Sequence, residues 1–96
     1  MKSKQAYKKQ ARVLKALANE TRLMIIDKLS QGECRVGELV RMIGVDQSTV
    51  SKHLATLRGV GVVDDERRGN AVYYRLVTPC VVDFFTCTAK VLKARP

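Results

Sequence analysis

The chain has 96 residues, of which 46% are hydrophobic, enough for one packed domain over residues 1–96 and too few for two. Lys and Arg total 18 against 9 Asp and Glu, so the formal net charge is +9. An excess of this size predicts a polyanionic partner, because cations that contact phosphates release condensed counterions and steer the encounter.

Membrane insertion, export and catalysis are all disfavoured by the sequence. No window approaches the roughly 20 apolar residues of a spanning helix, and the charged N-terminus lacks the apolar run of a signal peptide. Cys34, Cys80 and Cys87 are an odd set without the dense spacing of a disulfide scaffold, which predicts a reducing, cytoplasmic setting. One histidine and three dispersed cysteines provide no catalytic triad or closed metal site, so no enzyme is predicted.

Two helices are predicted in the first third of the chain. In the first, Ala6, Val13 and Leu17 share one helical stripe, while the other faces carry several lysines and one arginine without a single acidic residue. The second begins near Asn19, whose side chain is a good N-cap, and ends before Gly32.

The next segment, residues 36–58, predicts a helix-turn-helix. Gly44 stops its first helix, Asp46 is placed to cap the second, and Val50, Leu54 and Leu57 repeat at helical spacing and point inward. The second helix of such a motif lies in the major groove and reads base edges from its N-terminal part. The polar side chains left free on it are the predicted DNA contacts: Gln47, Ser48, Thr49, Ser51, Lys52 and His53.

After the helix-turn-helix, the apolar period changes to that of strands. Two runs of β-branched and aromatic residues flank the polar loop DDERRGNA within residues 60–77, which predicts a β-hairpin, the wing of a winged helix. Arg67, Arg68 and Asn70 at its tip are predicted to reach the minor groove or phosphates. The alternative is a solvated turn that contacts nothing.

A last helix is predicted over residues 79–93, beginning at Thr78 and Pro79. Its apolar stripe is wide for a terminal helix and matches the one on the first helix, so a two-fold homodimer that buries both is expected. The predicted fold is therefore mainly α with a small β-hairpin, a winged helix-turn-helix that dimerises through its N- and C-terminal helices.

Three segments carry a family resemblance: ALANETRLMIIDKL at 16–29, QSTVSKHLATLRGVGVV at 47–63 and RRGNAVYYRL at 67–76. Together they strongly resemble the ArsR/SmtB family of bacterial winged-helix repressors. The resemblance implies a homodimer on a double-stranded DNA operator with two half-sites, released when an inducer binds. That inducer is often a metal or metalloid.

The family's usual inducer sites are not matched. Arg35 and Gly37 occupy the positions of the paired thiols in arsenic-sensing members, and the last helix offers Asp83 but no histidine for a zinc-type site. Thiophilic ions such as As(III) or Sb(III) would therefore need the remaining cysteines. If two last helices cross antiparallel, Cys80 would face Cys87 of the partner subunit, and Cys34 is a further candidate ligand.

Three alternatives to this inducer site stay open. The cysteines can serve as a redox or persulfide switch in a repressor of the same fold. They can also be small buried hydrophobes without a sensing role. From a different functional class, the winged helix can be a protein-interaction module, although its polar and cationic helix face argues against that use.

Overall fold

A computed structural model describes residues 3–94 and contains five α-helices and a small sheet in this part of the chain. The elements follow in the order α1 (Lys4–Leu17), α2 (Glu20–Leu29), β1 (Cys34–Arg35), α3 (Val36–Ile43), α4 (Gln47–Gly59), β2 (Val63–Arg68), β3 (Ala71–Leu76) and α5 (Asp83–Ala94), with a 3₁₀ turn (Pro79–Val82) leading into α5.

The helix boundaries follow from side chains and a glycine that satisfy free backbone groups. Asn19 caps α2, because its Oδ1 accepts from the backbone N–H of Arg22 at 3.1 Å. Gly44 ends α3 in the left-handed conformation, with φ of 83°, and donates its N–H to the carbonyl of Val40 at 2.9 Å. Both positions agree with the sequence predictions.

The core lies where α2, α3 and α4 meet one face of the sheet. Ile25, Leu39 and Leu54 are completely buried there, and Val63 brings β2 into the same cluster. Because the three buried residues of α4 all point into this core, the opposite face of α4 is left to solvent. The packing therefore fixes which side of α4 can meet a partner.

The sheet has three antiparallel strands in the order β1–β3–β2, one more than the predicted hairpin. β1 is only two residues long, too short to leave a periodic pattern in the sequence. The segment predicted as a polar loop also differs. Asp64 to Arg68 belong to β2, because Asp64 pairs with Arg75 and Arg68 with Ala71, so only Gly69 and Asn70 form the turn.

The C-terminal segment is attached mainly by its first turn, with half-buried Phe85 of α5 packing against the core beside it. Val81, in the 3₁₀ turn, is buried in the core, whereas α5 contains no buried residue. Cys80 lies in that turn and not in the first turn of α5. Across residues 3–94, no helix is both long and apolar enough to cross a membrane.

Candidate nucleic-acid interface

The outer face of α4 is polar and accessible. Gln47 and Ser51 stand one turn apart, Ser48 and Lys52 form the adjacent row, and all four side chains are exposed. The buried apolar face of α4 holds the helix in one orientation, so the positions of these exposed side chains are fixed relative to the core. This is the geometry that a helix needs to read base edges in a major groove.

Asp46 organises two hydroxyls at the start of α4. It occupies the predicted cap position, but its carboxylate makes no hydrogen bond to backbone N–H groups. Instead it accepts from the hydroxyl of Ser48 at 2.7 Å and from that of Thr49. The Thr49 bond, followed by the Ser48 bond, lowers the pKa of Asp46. The prediction of a backbone cap is therefore wrong, because nearby hydroxyls compete for the same oxygens.

His53 is not a free side chain on the outer face of α4. It is half-buried, and its Nδ1 accepts from Nε of Arg22 at 3.0 Å, while Nη1 of Arg22 donates to the carbonyl of Ala16 at 3.2 Å. Burial, and then the Arg22 charge, lower the pKa of His53. The imidazole thus ties α4 to α2, a role that its place among the polar residues of the sequence did not reveal.

The two wing arginines point to opposite faces of the sheet. Arg67 is opposite Val72 in the register and shares the face of buried Val63, whereas Arg68 is on the other face. Arg67 makes one long contact, from Nε to the carbonyl of Gly69 at 3.4 Å. Gly69 has φ of 62° and supports the tight two-residue turn that carries the tip.

Arg68 is already bound by side chains of the wing and of the segment before β1. Its guanidinium donates to both oxygens of Glu33 at 2.5 and 2.8 Å, pairs with Glu66, and lies 4.6 Å from the ring centre of Tyr73. The hydrogen bond from Arg68 lowers the pKa of Glu33, and the two carboxylates raise the pKa of Arg68. Arg68 therefore braces the wing and offers less charge to DNA than the sequence predicts.

An open groove of about 370 Å³ joins the start of α3, the first residue of α4 and the wing. Gln47 and Asn70, both predicted contacts, line this groove together, and Arg35 and Arg41 line it as well. Neither arginine is among the contacts predicted from the sequence, although the first helix of a helix-turn-helix commonly crosses the DNA backbone. The available signal was that Arg41 lies within the motif segment and Arg35 immediately precedes it.

The three cysteines are not brought together within one protomer. Cys34 is buried in the core and donates to the carbonyl of Gly32 at 3.6 Å, and burial raises the pKa of its thiol. Cys80 and Cys87 are both exposed. Within residues 3–94, no three His, Cys, Asp or Glu side chains form a group that could hold a metal ion. The predicted participation of Cys34 does not fit its position.

Comparison with known proteins decides the family. Residues 19–65 match the model of the bacterial regulatory protein arsR family. The HTH-type transcriptional regulator Rv0081 of Mycobacterium tuberculosis is 36% identical over 93 residues, which cover 96% of this chain and 82% of the relative. The chain belongs to the ArsR family.

Relatives and solved structures extend this assignment. The crystal structure of Rv0081 from M. tuberculosis superposes with a TM-score of 0.82 at 35% identity, covering 95% of this chain and 92% of that one. The homodimeric winged helix-turn-helix DNA-binding domain Mb0332 from Mycobacterium bovis gives 0.80 at 35% identity, with coverages of 97% and 88%. The biofilm growth-associated repressor of Xylella fastidiosa is 42% identical over 66 residues, 69% of this chain and 58% of that protein.

These comparisons confirm the predicted family and the winged helix-turn-helix fold. This ArsR-family chain is similar to DNA-binding transcriptional regulators, and repressors are among them. The polar face of α4 lies in the part of the chain that the family match covers, whereas the wing from Glu66 onwards lies beyond it.

Proposed function

We propose that this ArsR-family chain is a homodimeric repressor that binds operator DNA in a sequence-dependent way and leaves it when an inducer reacts at cysteines. The single observation that carries the DNA-binding part is the fixed outer face of α4. It holds Gln47, Ser48, Ser51 and Lys52 exposed above a fully buried apolar face. Its neighbour across the groove is the wing tip at Asn70.

The proposed DNA contacts are of two kinds, contacts to base edges and contacts to phosphates. Gln47, Ser48 and Ser51 contact base edges in the major groove, where each good contact is worth about 1–3 kcal/mol of discrimination. Lys52 and Arg67 contact phosphates and add affinity that falls with salt, and Asn70 approaches the minor groove from the wing. Three predicted contacts act instead as positioning residues for α4 and the wing. Thr49 bonds to Asp46, His53 to Arg22, and Arg68 to Glu33.

The test compares two neighbouring substitutions on one helix face. A duplex enriched by the wild-type protein from a randomised library and a scrambled duplex of equal composition serve as probes. Gln47→Ala should weaken binding to the enriched duplex more than to the scrambled one, whereas Lys52→Ala should weaken both equally and reduce the salt slope by about 0.9. If Gln47→Ala weakens both duplexes equally, Gln47 has no reading role.

The homodimer is supported by apolar side chains that the protomer leaves exposed. Tyr7 and Leu14 on α1 are 46% and 48% exposed, and Phe84 and Val91 on α5 are 43% and 58% exposed. A partner that covers both helices would remove this area from water, at about 25 cal/mol per Å². The M. bovis relative is a homodimer.

The proposed inducer response uses Cys80 and Cys87 and not Cys34. Cys87 lies three residues from Phe84 and four from Val91, so it sits within the apolar face that a partner would cover. Two thiols from each of two subunits suit a soft ion such as As(III) or Sb(III). Their exposure also suits the alternative, a redox or persulfide switch that forms a covalent product.

Release from the enriched duplex separates these inducers. Arsenite, antimonite, cadmium, peroxide and polysulfide are titrated against wild type, Cys80→Ser, Cys87→Ser and the core control Cys34→Ala. Release of wild type and the control by arsenite, but not of the other two variants, is the expected result. Release by oxidant or polysulfide alone supports the covalent switch. Release of all variants alike rejects a thiol site at either position.

A further inference from the structure

The strongest unused feature of the molecule is a row of cations on α1. Lys4, Lys8, Arg12 and Lys15 repeat at spacings of 4, 4 and 3, which places them along one face of the helix. We refer to these four residues as the cationic stripe. All four are exposed, and within residues 3–94 no ion pair involves any side chain of α1.

This arrangement is unfavourable in the protein alone. Like charges spaced at i and i+4 destabilise an isolated helix, and α1 has no acidic residue in its first turn to oppose them. α5 shows the contrast, since it begins with Asp83 and carries only Lys90 and Lys93 towards its end. A polyanion held against α1 would relieve the repulsion and release counterions.

The stripe is distinct from the surface proposed for dimerisation. At 3.6 residues per turn, the exposed apolar ridge of Tyr7 and Leu14 lies roughly 110° around α1 from the middle of the stripe. The ridge can therefore face a second subunit while the stripe stays accessible.

One end of the stripe lies across a cleft from the outer face of α4. A cleft of about 360 Å³ separates the two helices, and Arg12 and Lys15 line it from α1 while Ala55 and Thr56 line it from α4. Ala55 is exposed and stands one turn beyond Ser51, in the row that begins at Gln47. A duplex lying on the outer face of α4 would therefore meet the end of the stripe across this cleft.

We propose that the cationic stripe binds backbone phosphates of the DNA that flanks the half-site read by α4 of the same subunit. The stripe extends about 16 Å along the axis at 1.5 Å per residue, enough for several consecutive phosphates. The contacts carry no base information, so they lengthen the footprint and raise affinity without changing sequence preference. This inference rests on the DNA binding proposed above.

The test removes two stripe charges and uses a matched pair as its control. Arg12→Gln/Lys15→Gln is compared with Lys90→Gln/Lys93→Gln, since both pairs are three residues apart on exposed helix faces and lose the same charge. Glutamine is a good helix former, and circular dichroism verifies that helix content is kept. The probes are the enriched duplex, its scrambled counterpart, and versions of both shortened stepwise from their ends.

The stripe variant should lower the slope of log affinity against log salt by about 1.8, which is about 0.9 for each phosphate lost. Shortening the duplex should weaken the stripe variant less than the wild type and the control, because only Lys4 and Lys8 of the stripe keep their charge. The preference for enriched over scrambled DNA should be the same in all three proteins. Equal slopes and equal sensitivity to shortening in the two double variants would overturn the proposal.

The same data separate this proposal from the one on which it rests. If the wild type binds enriched and scrambled duplexes equally, the sequence-reading role of α4 fails, while the slope comparison on either duplex still decides the role of the stripe. If the wild type binds neither duplex, both proposals fail together.

Discussion

Helices α4 and α5 are nearly equal in length, with 13 and 12 residues, yet they use their apolar stripes differently. α4 buries Val50, Leu54 and Leu57 completely within the protomer. α5 buries no residue, and its Val91 and Leu92 are 58% and 72% exposed. The apolar side of α4 is thus satisfied by its own chain, which frees its polar side for DNA. The apolar side of α5 requires a surface from elsewhere.

The largest expected effect is on α4, whose apolar side is buried within its own protomer. Leu54→Ala removes a fully buried side chain and should lower the free energy of unfolding by about 2–5 kcal/mol. The loss should not depend on protein concentration, because Leu54 packs within one protomer. Urea unfolding at several concentrations measures it. Leu92→Ala is the comparison variant, and an equally large and concentration-independent loss there would remove the distinction between the helices.

A substitution on the exposed apolar side of α5 should weaken the association of the two subunits. Val91→Ser removes an apolar side chain from the exposed face of α5 in both subunits, so the dimer dissociation constant should rise at least about tenfold. Lys90→Gln, about 100° around α5 from Val91, serves as the control and should leave the dissociation constant unchanged. Analytical ultracentrifugation decides between them. Dimers of unchanged stability in the serine variant would place the subunit interface away from this face.

A smaller effect distinguishes the two wing arginines. Arg67→Ala should reduce the salt slope of DNA binding by about 0.9, because Arg67 is proposed to contact a phosphate. Arg68→Ala should leave the slope nearly unchanged but speed amide hydrogen exchange in β2 and β3, because its bonds to Glu33 and Glu66 are lost. The reverse pattern would make Arg68 the DNA contact and Arg67 the structural residue.

The Glu33 contact gives this brace a pH dependence. Arg68 lowers the pKa of Glu33, so the native state favours the carboxylate and the contact is fully present above the ordinary value of 4.5. It is lost as the pH falls through the lowered value. Exchange in the wing should therefore rise only in acid, and Glu33→Gln should abolish that dependence.

The smallest effect concerns His53, the only histidine of the chain. Its native pKa is lowered from 6.5, so the unfolded chain binds a proton more readily, and any stability contribution is present above 6.5 and lost as pH falls towards the native value. A single imidazole signal in NMR should titrate below 6.5. Arg22→Leu should raise the pKa of His53 by removing both the charge and the hydrogen bond. Titration above 6.5 in the wild type would contradict the observed contact.

The sequence predicted those parts of the molecule in which one short segment contains all the information. Val50, Leu54 and Leu57 define the inner face of α4 by spacing alone, and Asn19 and Gly44 mark helix ends through local chemistry. Contacts between distant segments left no such pattern. Arg68 and Glu33 are 35 residues apart, and Arg22 and His53 are 31 apart, so sequence reasoning counted Arg68 and His53 as free for DNA.

If the chain acts as proposed, a dimer presents two copies of the α4 face to one duplex. The sequence of a duplex enriched from a randomised library by the wild-type protein, and the stoichiometry of its complex, decide whether it does. We expect two related half-sites with centres about one helical turn, or a small multiple of it, apart, bound by one dimer. Enrichment of no sequence, or tight binding of a single half-site by a monomer, would contradict it and favour a protein-interaction role for this winged helix.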